Sequence, residues 1–254
     1  MKVICAGLSK TGTSSMAKAL QILGFSVFDC YEHLVIHHHE WASVYRHGKM
    51  PDFLSMYQNV DAITDLPAAL WYEEIHKTFP DAKVILSVRD SEEVWVKSWV
   101  QHNDLYLHLG FLQHIIFWYI APYIVGGFDA ILAREIDMAA YGSLCSESTV
   151  LFKKKYREHN ERVQAIIPKE KLLMYNVKQG WKPLCEFLGC EIPEREFPRE
   201  NVGDARAKKG IKTKLQFATM KLFVIFAALG FLASAVYLMW YCNESFVKDV
   251  IHRG

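Results

Sequence analysis

The stretch AKVILSV, residues 82–88, constrains the fold of this chain more than any other. It is apolar and β-branched without a polar residue at every second position. A strand made from it must therefore be covered on both faces. Such a strand belongs in the middle of a parallel sheet with helices packed on each side. The chain supplies the partners that this sheet needs. Residues 2–6 form a second apolar strand, FSVFDC at 25–30 a third, VDAIT at 60–64 a short fourth, and Lys171–Tyr175 a fifth. Helical patterns fill the intervals, over 13–23, 31–47, 67–79, 91–99, 150–167 and 181–188. Strands alternating with helices predict an α/β fold, a parallel sheet flanked by helices with right-handed crossovers.

In such sheets ligands bind at the carboxyl ends of the strands. Three chemically loaded segments fall there: Gly7–Ser15, Asp65, and Arg89. The first, GLSKTGTSS, joins a buried strand to a helix. A glycine-bearing turn of this kind aims backbone N–H groups and a helix N-terminus at one point, which suits an anion. The nucleotide-triphosphate version reads GxxxxGK[ST]. Gly7 and Gly12 have that spacing, but Thr13 stands where the lysine belongs and Lys10 lies inside the loop. The strand 82–88 runs into Arg89 before Asp90, so the plain aspartate that would hold Mg²⁺ is missing. No metal is expected.

A net charge of +1 leaves no basic surplus for nucleic acid. Six cysteines are scattered without a CxxC pair, as for free thiols in a reducing compartment. The N-terminal apolar run is too short for a signal peptide. Leu222–Cys242 carries no charge over a length that can cross a bilayer. Lysines at 208, 209, 212, 214 and 221 precede it and only Lys248 and Arg253 follow, so the preceding chain is expected on the cytosolic side. The expected organisation is a catalytic domain over 1–205, a basic linker over 206–221, a single-pass membrane helix over 222–242 and a short tail over 243–254.

SKTGTSS at 9–15, TDLP at 64–67, VILSVRDSEEVWVKSW at 84–99 and VKQGWKPLCEFLGCEIPEREFPREN at 177–201 resemble, in that order, the sulfotransferase family that uses 3′-phosphoadenosine 5′-phosphosulfate. The last segment looks like the closing piece of a branch found in many invertebrates and microbes. The resemblance implies a nucleotide-kinase-like sulfotransferase fold. It also implies transfer of a sulfuryl group from that co-substrate to a hydroxyl, or secondarily an amine, of a small-molecule or lipid acceptor. Lys10 corresponds to the lysine at the donor's 5′-phosphosulfate. Thr11, Gly12, Thr13 and Ser14 correspond to the loop around the 5′-phosphate. Arg89 corresponds to the arginine on the 3′-phosphate, for which a guanidinium fork is well shaped. The family's partner serine falls at Lys97 in strict register, while the serine here is Ser98, so both remain alternatives. Ser15 replaces the tryptophan that stacks on adenine in some members, and Trp181 is a substitute candidate. Asp65 occupies the place of the general base; the alternative is a cap for the helix expected after Pro67. Two other functions are kept open: a nucleotide-dependent small-molecule kinase, and a non-catalytic, membrane-tethered nucleotide-binding protein.

Other features have plainer readings. His37, His38 and His39 are consecutive, point in different directions on a helix and are poorly placed to share one ion. His33 follows the second strand and is a secondary site candidate. The apolar stretch 111–125 reads either as a buried helix or as a wall for lipophilic acceptors. Lys153, Lys154, Lys155, Arg157, Glu158 and Glu161 read as a solvated helix face. Tyr156 and His159 lie one turn apart and have no assigned role. The sequon at Asn243 is expected to be unused.

Overall fold

A computed structural model describes residues 1–107, 115 and 130–200, together with 218–223 and single or paired positions between 212 and 234. Five strands form one parallel sheet: β1 (Val3–Cys5), β2 (Val27–Phe28), β3 (Ala62–Ile63), β4 (Lys83–Ser87) and β5 (Leu172–Tyr175), in the order β2-β3-β1-β4-β5. All pairings are parallel, with Val3 opposite both Ala62 and Lys83, and Val84 opposite Leu172. The α/β fold expected from the sequence is the observed one.

Both faces of the sheet are dry, and the strand alternation divides them. Ile4, Ile63, Val84 and Leu86 belong to one core cluster, whereas Val3, Cys5, Ala62 and Ile85 belong to the other. The second cluster is closed by α1 (Thr13–Ile22) and by the late helix Trp181–Leu188. The first receives α2 (Cys30–Val35), α3 (His38–His47), α4 (Phe53–Met56), α5 (Tyr72–Thr78), α6 (Glu92–Leu107), α7 (Ala130–Tyr141) and α8 (Thr149–Ile166). The helix Trp181–Leu188 is α9. Burial of Val84, Ile85 and Leu86 is complete. Each such side chain contributes about 1.5–3 kcal/mol of hydrophobic stabilisation, so β4 is the spine of the sheet.

The chain leaves β1 toward β2 on one side and leaves β4 toward β5 on the other. The ends of β1 and β4 therefore flank a topological switch point, where α/β sheets open a crevice. Gly7 makes that junction tight. A Cβ there would lie 2.0 Å from Ser87 Oγ and 2.7 and 2.9 Å from the Ser87 backbone O and N.

Several sequence expectations change in detail. The helical stretch 31–47 is two helices, broken around Ile36 and His37. The helix expected from Pro67 starts only at Tyr72. Residues 66–71 instead turn, with Leu70 N–H bonded to Pro67 O and Trp71 N–H to Ala68 O. The break follows from Asp65, whose φ of 66° points the chain out of the strand in a left-handed conformation. α6 runs on to Leu107, well past the expected end at 99.

The expected single-pass membrane anchor is corrected. Among the described residues no helix is long and apolar enough to cross a membrane. A crossing needs about 20 continuous apolar residues in one helix, and hydropathy alone registers lack of charge without registering such a helix. Most of the stretch Leu222–Cys242 lies outside the described residues, as do the sequon and most of 111–125. The anchored architecture, the cytosol-facing topology, the membrane partner and the membrane localisation are not retained.

Candidate active site

The loop after β1 begins at a buried strand end and is braced from within. Thr11 is fully buried; its hydroxyl donates to Leu8 O at 2.7 Å and lies 2.7 Å from Ser87 Oγ. Its N–H is bonded to Leu8 O. Thr11 thus spends its polar groups on the loop's own shape. Lys10 and Gly12 both take left-handed backbone conformations, φ 71° and 102°. Gly12 also needs its missing side chain, because a Cβ would meet Val177 Cγ1 at 2.6 Å. Val177 opens the segment 177–201, whose first side chain thus packs on the loop.

Gly12 ends the loop and starts α1. No side chain caps this helix, and its first turn carries no acid. The leading N–H groups are the orphan donors of a helix N-terminus, with the positive end of the helix dipole behind them. Ser14 sits in this turn, half-exposed. Ser15 is buried instead, and its hydroxyl accepts from Glu200 N at 2.9 Å. The closing segment is thus pinned to α1 at Ser15.

Asp65 meets the loop from the end of β3. It is 9% exposed. Its Oδ1 accepts from Ser9 Oγ at 2.5 Å and from Leu66 N at 2.8 Å, and its Oδ2 accepts from Thr13 Oγ1 at 2.7 Å. Three donors on one carboxylate clamp both limbs of the loop to the neighbouring strand. The helix-capping alternative is not realised, since the next helix begins seven residues later.

Arg89 follows β4. Its backbone N–H donates to Tyr156 Oη at 3.1 Å. Its Nε is enclosed by protein yet has no hydrogen-bond partner. An enclosed guanidinium N–H without a partner is costly, and an anion at this strand end would satisfy it. Tyr156 stacks on Trp95, with centroids 4.4 Å apart and planes 11° from parallel, and Trp95 Nε1–H donates to Ser9 O at 3.0 Å. His159, one turn on, has Nε2 2.7 Å from Ala6 O; burial lowers its pKa, so it is a neutral donor there. Tyr156 and His159 therefore hold the ends of β4 and β1, a role that the sequence did not disclose.

The two alternatives for the partner of Arg89 separate on α6. At roughly 100° per residue, Ser98 lies about 60° round the helix from Trp95, and Lys97 about 160° away. Trp95 faces the loop, Ser98 is half-buried and Lys97 is exposed.

The remaining candidates sit elsewhere. His33 is fully buried among Phe28, Trp41 and Tyr57. Desolvation, then the nearby His37, lower its pKa to about 3, so it is a core histidine. Trp181 is packed edge-on against Phe197 at 5.0 Å, with Nε1–H donated to Arg195 O. It belongs to the core and offers no open face for adenine. Among the described residues no cluster of His, Cys, Asp or Glu could hold a metal ion. The basic stretch of α8 pairs with α6 and α5 through Lys153–Glu93, Arg157–Glu92 and Arg162–Glu73. The depression lined by Gln164, Lys169, Leu172 and Met174 lies at the β5 edge and contains none of these residues.

Across this geometry, the profile of the sulfotransferase domain matches residues 2–206. The chain belongs to the sulfotransferase domain family. Ava biosynthesis cluster protein M of Aspergillus versicolor is similar, 29% identical over 226 residues that span 82% of this chain and 84% of that protein. The sulfotransferase domain thus takes in the sheet, the loop, Asp65, Arg89 and the closing segment.

A second carboxyl feels the charge of Asp65, unannounced by any motif. Asp137, on α7, is close enough to Asp65 to be affected by its charge. Desolvation first, then Asp65, push its pKa up to about 8, against a smaller opposing influence from Arg134. Tyr141, one turn along the same helix, is fully buried, leans on Trp99 at 3.9 Å, and its hydroxyl, near Ser9, lacks a well-formed hydrogen bond. The only sequence signal for this pair was the amphipathic pattern of 130–141.

Proposed function

We propose that this sulfotransferase-domain protein transfers a sulfuryl group from 3′-phosphoadenosine 5′-phosphosulfate to a hydroxyl of a small-molecule acceptor. The observation that carries the reading is the enclosed, unpartnered Nε of Arg89 beside an uncapped helix N-terminus. Two separate anion-ready points at adjacent strand ends suit a nucleotide with phosphates at two positions. The donor supplies an activated sulfuryl group whose leaving group is a phosphate. Gly12, Thr13 and Ser14 would hold the 5′-phosphate through their N–H groups and the Ser14 hydroxyl. Lys10 would place its ammonium against the leaving phosphate. Arg89 would bind the 3′-phosphate bidentately, with Ser98 beside it. Thr11 would contribute by shaping the loop.

Asp65 is proposed as the carboxylate of this site. Two roles are compatible with its position: acceptance of the acceptor's proton through the remaining lone pair on Oδ2, or fixation of the loop through Ser9 and Thr13. The three bonds that it already accepts favour the second. Positioning and electrostatics dominate transfers of this kind, with little covalent work for the protein.

Arg89→Ala tests the donor site. A charge-assisted contact is worth about 1.5–3 kcal/mol, so 3′-phosphoadenosine 5′-phosphate should bind roughly tenfold to a hundredfold more weakly. Adenosine 5′-phosphate should be affected much less. Calorimetry with both ligands reads the difference. Equal losses would remove Arg89 from the 3′-phosphate, and transfer from ATP that requires Mg²⁺ would turn the reading toward a kinase. In the same assay Ser98→Ala should weaken binding and Lys97→Ala should not.

A further inference from the structure

We infer that Tyr156 and Trp95 are positioning residues that fix the separation of the two phosphate points, so that the site selects a nucleotide phosphorylated at both its 3′ and 5′ positions. The inference rests on the reading above, in which Arg89 and the start of α1 hold those phosphates. It begins where the sheet ends. Ala6 N–H is bonded to Ile85 O at the end of the β1–β4 ladder. The Thr11 and Ser87 hydroxyls tie the loop to the last residue of β4. Arg89 and the start of α1 both lie past these ties, so sheet pairing alone does not set the distance between them.

Two aromatic side chains take over from the sheet. Arg89 N–H donates to Tyr156 Oη at 3.1 Å, and Trp95 Nε1–H donates to Ser9 O at 3.0 Å. The two rings stack, with centroids 4.4 Å apart and planes 11° from parallel. The result is one unbroken path from the backbone of Arg89 to the backbone of the loop. It continues through Ser9 Oγ and the Asp65 carboxylate to Thr13, the first residue of α1. Both side chains are buried, and a low local dielectric strengthens hydrogen bonds of this kind. α8 carries Tyr156 and, one turn on, His159, whose Nε2 lies 2.7 Å from Ala6 O. A single helix thereby grips the ends of both strands. Lys153–Glu93 and Arg157–Glu92 hold that helix against α6, which carries Trp95. A second link runs from Asp90 to Lys178, and from the adjoining Val177 to Gly12. Its ion pair is exposed, and exposed pairs contribute little. The buried aromatic path is therefore the one that sets the spacing.

A fixed spacing matters because the two phosphates belong to one ligand. Once the 5′-phosphate is seated at α1, docking of the 3′-phosphate on Arg89 is intramolecular. Its gain depends on how well the spacing of the site is set in advance to that of the nucleotide. Cutting the path leaves each point able to hold its own phosphate and weakens only their joint engagement. Tyr156 and Trp95 thus act on the preference for two phosphates over one, through Arg89 and Ser9.

Calorimetry with 3′-phosphoadenosine 5′-phosphate, adenosine 5′-phosphate and adenosine 3′-phosphate tests this on wild type, Tyr156→Phe, Trp95→Phe and the double variant. Tyr156→Phe keeps the stacked ring and removes the acceptor of the Arg89 N–H. Trp95→Phe keeps an aromatic ring and removes the donor to Ser9 O. Each single variant should bind the bisphosphate about tenfold more weakly, the loss expected for one hydrogen bond in an enclosed place. Each monophosphate should stay within about threefold of wild type. Both substitutions cut the same path, so the double variant should be no more than about threefold weaker than either single one. Melting temperatures are recorded alongside, and Tyr156→Phe, the milder change, decides alone if Trp95→Phe melts below the assay temperature. Equal weakening for all three ligands, or losses that multiply in the double variant, would reduce the two rings to packing and overturn the inference. So would a Tyr156→Phe protein that keeps the wild-type preference for the bisphosphate. A wild type that binds the bisphosphate no better than adenosine 5′-phosphate overturns the two-phosphate reading and this inference with it.

Discussion

Asp65→Ala should be the most damaging single substitution in the loop, lowering both stability and nucleotide affinity. It removes the acceptor for Ser9, Thr13 and Leu66 in a site that is 9% exposed. Hydrogen bonds to a charged group are worth about 1.5–3 kcal/mol each, and buried donors left unpaired cost about as much again. It also places alanine at φ 66°, a conformation that aspartate and asparagine tolerate better. A loss on the order of 3 kcal/mol or more is expected, with 3′-phosphoadenosine 5′-phosphate binding weakened about tenfold to a hundredfold. Asp65→Asn keeps the backbone preference and one carbonyl acceptor, so it should fold and lose much less. Asp65→Gly relieves the backbone but restores no acceptor, and should resemble alanine in affinity. Thermal melting and calorimetry on the three variants separate the two contributions. If Asp65→Asn binds the nucleotide normally and loses about 10²–10⁴-fold in turnover, Asp65 is itself the proton acceptor.

The second large effect concerns Gly7. Alanine there would drive a methyl group to 2.0 Å from Ser87 Oγ and within 3 Å of two Ser87 backbone atoms. The side-chain clash can be relieved by rotation or by truncating Ser87, but the backbone clash cannot, because β1 and β4 are hydrogen-bonded neighbours in register. Overpacking of this kind costs about 1–3 kcal/mol, occasionally more. At roughly 2–4 °C per kcal/mol for a chain of this size, Gly7→Ala should melt several degrees below wild type. The double variant with Ser87→Ala should recover only part of that. A Gly7→Ala protein melting with wild type would mean that the strands can part at no cost and that the loop is not seated as described.

The sheet was legible in the apolar pattern of the chain. AKVILSV is apolar on both faces, and only a central strand between two helical layers can bury both; β4 is that strand. Local chemistry also marked the phosphate-ready turn, because Gly7 and Gly12 and the hydroxyl residues around them act through their own backbone within a few positions. Arg89 and Asp65 were legible for the same reason: each lies where a readable strand ends. The hydropathy of 222–242 was a reading of composition alone, and composition does not specify a helix that crosses a bilayer. What the side chains do to one another emerged only in the folded chain. Thr11 turned inward to Ser87, Asp65 became bound to Ser9 and Thr13, and His33 and Trp181 were absorbed into the core. Tyr156 and His159 reach the ends of β4 and β1 from a helix far along the chain. Burial, repulsion between two carboxyls and the count of available donors are properties of a neighbourhood assembled from distant segments, and no short stretch of sequence contains them.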